Sequence, residues 1–71
     1  MDRLKQDIED LLDQMVAQQE RRVHDIGSRL LPGLTRDDML APDDVPVLAT
    51  DPAFLYEDGI LAGLLSARAA L

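Results

Sequence analysis

Residues 4–31 read LKQDIEDLLDQMVAQQERRVHDIGSRLL. Leu4, Ile8, Leu11, Leu12, Met15, Val16, Val23, Ile26, Leu30 and Leu31 recur there at steps of three and four. That is the period of one amphipathic helix, expected over about residues 3–31. Neither Pro nor Gly interrupts it before Gly27. Asp2, Asp7, Glu9, Asp10 and Asp13 near its start, and Arg21, Arg22 and Arg29 toward its end, suit the helix dipole at both termini. Asp25 and Arg29 are spaced for an i,i+4 ion pair. Leu31-Pro32-Gly33 stops the helix, through the proline ring and the flexible glycine.

Within the stripe, apolar residues also repeat at steps of eleven, as in Leu4, Met15 and Ile26. One seam (4, 8, 11, 15) hands over to a second (12, 16, 19, 23, 26, 30). Such a stutter undoes left-handed supercoiling and predicts a nearly straight helix. Gln18 and Gln19 sit where the stripe changes over. Adjacent side chains cannot share one seam, so the pair reads as exposed surface. The alternative is a buried amide layer that fixes helix register.

After the helix, residues 32–51 are expected to form an ordered linker. Thr35-Arg36-Asp37-Asp38 has capping-box spacing for a short helix over about residues 36–41, with Met39 and Leu40 as anchors on the bundle. Pro42-Asp43-Asp44 signals a turn. Pro46 biases Val45 to Ala49 toward an extended coil, with an intermolecular strand as the other possibility. Thr50-Asp51-Pro52 then opens a second helix over about residues 52–70, with Thr or Asp as cap and Pro at its first position. Gly59 is a point where that helix can break. Gly59, Gly63, Ser66 and Ala70 form a ridge of small residues along it, suited to close helix packing. Phe54 and Tyr56 lie on different faces, Phe54 toward the core and Tyr56 at its boundary.

The fold class is therefore all-α: a helical hairpin, one domain over residues 1–71. The chain has no cysteine, so no disulfide staples so small a core. A 28-residue helix is about 42 Å long, and a second helix of under twenty residues cannot cover it. Two hairpins are expected to pair as a homodimeric four-helix bundle. Its interface draws on Leu4, Ile8, Leu11, Leu12, Met15, Val16, Val23, Ile26 and Leu30. The sequence leaves parallel or antiparallel pairing open.

Fourteen acids against seven bases give a net charge of −7. That field disfavours nucleic acid and anionic membrane as partners, and favours solubility and a basic protein partner. No signal-peptide pattern and no long apolar run occurs, so a cytoplasmic location is expected. No cofactor or catalytic signature stands out. Glu20 and His24 share a helical face but lack the further ligands a metal site needs. Ser28 has no triad partners, and its neighbours depart from the Asp-Ser-Leu-like setting of acyl carrier domains. Asp37, Asp38, Asp43 and Asp44 lack the spacing of a calcium loop. Tyr56, Glu57 and Asp58 combine an aromatic with two carboxylates and form a candidate partner surface. The functional expectation is a small non-enzymatic interaction module (adaptor, regulator or accessory subunit) acting as a homodimer. The alternative is an accessory or carrier-like component of an enzyme system, using Ser28 or the Glu20/His24 pair.

Overall fold

The computed structural model describes residues 2–71. Helix α1 (Asp2–Leu30) runs the length of the molecule, whose extents are 45 × 19 × 17 Å. Three short elements follow: α2 (Arg36–Leu40), a 3-10 turn (Pro42–Asp44) and α3 (Pro46–Thr50). Helix α4 (Pro52–Ala69) then returns antiparallel along α1. Phe54 is level with Gly27, Glu57 with Gln19 and Arg22, and Arg68 with Asp13 and Glu9. The expected all-α hairpin is the observed fold, and among the described residues there is no strand.

Local chemistry explains each boundary. The Leu34 amide donates to the Leu31 carbonyl at 3.1 Å, closing a turn with Pro32 and Gly33 at its centre. Gly33 has φ +85°, the left-handed conformation that the third position of a type II turn requires. At α2 the capping box forms as the sequence indicates: Thr35 Oγ1 accepts from the Asp38 amide and Asp38 Oδ2 from the Thr35 amide. Asp51, not Thr50, caps α4, its carboxylate accepting from the Phe54 amide at 2.9 Å. Thr50 instead donates its hydroxyl to the Pro46 carbonyl at 2.8 Å.

The segment expected to be extended is a helix. Val45 alone is extended, as a residue before proline prefers. Pro46 occupies the first helical position, where its missing N–H costs nothing, and the Val45 carbonyl accepts from the Leu48 and Ala49 amides at 3.0 Å. This excludes both the coil and the intermolecular strand for Val45 to Ala49. Gly59 does not break α4, since the helix continues through it.

The core is small and lies at the connection end. Val23, Leu48 and Phe54 are fully buried there, with Ile26, Leu30, Leu34, Met39, Val45 and Leu61 packed around them. Gly27 allows this convergence. A Cβ on it would lie 2.6 Å from a Leu34 methyl and 3.4 Å from the Phe54 ring. Two expectations fail here. Leu40 is exposed, leaving Met39 as the only anchor of α2 in the core cluster. Asp25 and Arg29 stay beyond ion-pair distance.

Candidate interaction surface

The handover between the two seams of α1 becomes a division of labour. Every position of the second seam (Leu12, Val16, Gln19, Val23, Ile26, Leu30) is buried or half-buried. The seam is turned to α4 and the connection. The first seam (Leu4, Ile8, Leu11, Met15) remains in solvent, with Leu4 65% and Leu11 56% exposed. Positions advance about 100° per residue around a right-handed helix. The exposed seam therefore lies roughly 70° to one side of the direction of α4. On α4, which runs the opposite way, the same side of the hairpin carries Ile60, Leu64, Ala67 and Leu71. Ile60 and Leu71 are exposed and Leu64 is half-buried. No charged residue occupies this flank between Ile8 and Gln18 or between Ile60 and Leu71.

The other flank carries charged groups beside apolar ones, among them the exposed Leu65. The Arg68 guanidinium donates to Asp13 at 2.7 Å and lies 3.8 Å from Glu9; the hydrogen bond to Asp13, aided by nearby carboxylates, raises its already high pKa. Further along this flank is a surface cavity of about 430 Å³. Val23, Leu61, Met39 and Leu40 supply its apolar lining, and Glu20, His24 and Asp58 are among its polar groups. Partial burial, and secondarily the charge of Asp43, push the Asp58 carboxyl above the usual carboxylate range. Ser28 Oγ is 3.4 Å from His24 Nδ1 on an exposed face. Among the described residues, no third His, Cys, Asp or Glu joins Glu20 and His24 in a set that could hold a metal ion.

Gln19 corrects the reading of the glutamine pair as surface. Gln18 is exposed, but Gln19 is only 8% exposed. Its amide donates to the Glu57 carboxylate at 2.6 Å and to the Glu57 main-chain carbonyl at 2.8 Å. Arg22 reaches the same carboxylate at 3.3 Å. Gln19 is thus a single buried amide that pins α1 to α4. The signal was its place in the second seam, where a polar side chain needs a partner.

The remaining sequence-predicted residues distribute as follows. Val23 is buried within the protomer, and Ile26 and Leu30 pack on its core, so they are not free to face a second chain. Leu12 and Val16 are half-buried. The ridge of Gly59, Gly63, Ser66 and Ala70 points away from α1, and a Cβ at either glycine would meet nothing within 4 Å. Tyr56, Glu57 and Asp58 do not share a face. Tyr56 is 70% exposed at the edge of the apolar flank, not at a core boundary, Glu57 turns inward to Gln19, and Asp58 lines the cavity opposite. Sequence reasoning missed Ile60, Leu64 and Leu71 as surface partners of the first seam. Their signal was spacing: with Ala67 they repeat at steps of four, three and four.

No family model, curated protein or solved structure matches this chain. No helix among the described residues is long and apolar enough to cross a membrane.

Proposed function

We propose that the protein is a small non-enzymatic interaction module that acts as a homodimer, an adaptor, regulator or accessory subunit. The observation that carries this reading is the apolar flank of Leu4, Ile8, Leu11, Met15, Ile60 and Leu71, all of them exposed in the single hairpin. Exposing several such side chains is unfavourable by about 1.5–3 kcal/mol for each one that burial would cover. Surface area supports the reading as well. The hairpin exposes 5161 Å², whereas a compact monomer of its 7.9 kDa mass exposes about 4,400 Å². The excess, about 750 Å², is close to the ~800 Å² that each partner contributes to a stable interface. The basic protein partner expected from the net charge is proposed for the opposite flank, where Asp58 and Asp43 lack ion-pair partners among the described residues.

Sedimentation equilibrium at micromolar concentration tests the self-association. The expected result is a species of twice 7.9 kDa, with Leu11→Asp converting it to a helical monomer. A monomeric native chain at these concentrations overturns the proposal.

A further inference from the structure

Which way does a second copy lie on the apolar flank? We propose that the two copies pair antiparallel and offset toward the N-terminal halves of α1. Ile8 and Leu11 then face the partner's Leu11 and the partner's Ile8, and Leu4 faces the partner's Met15. This rests on the homodimer reading above and adds its symmetry and register.

A two-fold interface must be self-complementary, and the exposed seam is. Reversed about a point between Ile8 and Leu11, the positions 4, 8, 11 and 15 map onto 15, 11, 8 and 4. On α4 that two-fold is level with about Ala69, so Leu71 at the end of the chain adjoins it. Charge decides against the alternatives. The exposed seam continues along α1 as Gln18, Arg22, Asp25 and Arg29. Parallel pairing of the two α1 helices stacks Arg22 on Arg22, Asp25 on Asp25 and Arg29 on Arg29, and like charges brought together in an interface are unfavourable. A parallel dimer that sets α1 against the partner's α4 covers these charges with the start of that helix, desolvating them without partners. It also leaves Leu4 uncovered, because α4 ends at Ala69, opposite about Glu9. The offset antiparallel register leaves the charged half of each α1 in water and gives every exposed seam residue an apolar neighbour.

The chain has no cysteine, so introduced thiols report the register directly. Leu4→Cys and Met15→Cys are both made at exposed positions of the protomer. In the proposed register each thiol lies beside the other variant's, while identical thiols are about 16 Å apart along the helix axis, beyond the reach of a disulfide. Mild oxidation of the equimolar mixture is expected to give a covalent dimer whose disulfide joins position 4 to position 15, identified by peptide mass. Each variant oxidised alone is expected to remain monomeric on a denaturing gel. Covalent dimer from either variant alone overturns the register in favour of parallel pairing. Absence of covalent dimer from the mixture, with a dimer still present in sedimentation, overturns it as well. A monomer in sedimentation removes the homodimer reading itself, so the two failures are separable.

Discussion

Replacing Gln19 by Glu keeps the side-chain length and puts a carboxylate where an amide now donates to the Glu57 carboxylate and main-chain carbonyl. Two effects add. A hydrogen bond to a charged acceptor contributes about 1.5–3 kcal/mol net, and it is lost. Two carboxylates about 4 Å apart repel by about 4 kcal/mol at an effective dielectric constant of 20. Relaxation reduces this second figure, because Arg22 already lies 3.3 Å from the Glu57 carboxylate and offers it a position nearer solvent. We expect a net loss of about 3 kcal/mol at pH 7. Against a total stability of about 4–10 kcal/mol for a chain of this length, that is a large fraction.

The effect has a pH signature. Like-charge repulsion raises the folded-state pKa of the introduced pair above its unfolded value. The cost is therefore present above the carboxylate range and disappears as the pH falls through it, when one carboxyl takes a proton and donates to the other. Urea unfolding followed by circular dichroism, at one protein concentration and at pH 7 and pH 4, measures it against the unaltered chain at each pH. A loss below about 0.5 kcal/mol at pH 7, which surface substitutions also give, would refute the role assigned to Gln19. So would an equal loss at both pH values.

Phe54→Ala empties the centre of the core and is expected to cost about 3–5 kcal/mol, lowering the melting temperature by at least 12 °C or so at 4–8 °C per kcal/mol; calorimetry reads it. Asp51→Ala removes the cap on the Phe54 amide and should cost about 1 kcal/mol, measured by chemical denaturation. For Asp58, burial and then Asp43 raise the folded-state pKa above the unfolded value. Its contribution to stability is therefore present below the unfolded pKa and is lost as the pH rises through the folded pKa. Asp58→Asn should accordingly melt at a higher temperature than the unaltered chain at pH 7, with the difference vanishing near pH 3; a difference independent of pH refutes the assignment.

Much of this architecture was legible in the residues. Periodicity carries both helices, Pro32-Gly33 the turn, Thr35 to Asp38 the capping box and the Thr50-Asp51-Pro52 run the start of α4. Other features depended on tertiary contacts that local patterns do not contain. Pro46 is ambiguous by itself, since the same ring that ends one helix starts another, and here the Val45 carbonyl was free to accept the first turn. Nothing in the local pattern marks Gly27, yet it is the notch that admits Leu34 and Phe54. Gln19 needed Glu57, 38 residues away, before its burial made sense. The candidate surface was half visible: the first seam was readable as apolar, but which flank of the hairpin it occupied, and that α4 extends it, required the handedness of the pair.

The position of the core has a mechanical consequence. Every fully buried apolar side chain lies beside the connection, and at the far end Arg68 holds Glu9 and Asp13 through exposed contacts. The molecule is built like a pair of tongs, riveted at one end and lightly latched at the tips. Surface ion pairs are weak and screened by salt, so the tips open far more often than the rivet. Amide exchange along α4 should accordingly quicken from Phe54 toward Ala69 in the isolated hairpin, and quicken further in high salt. The gradient should flatten wherever another surface grips the tips.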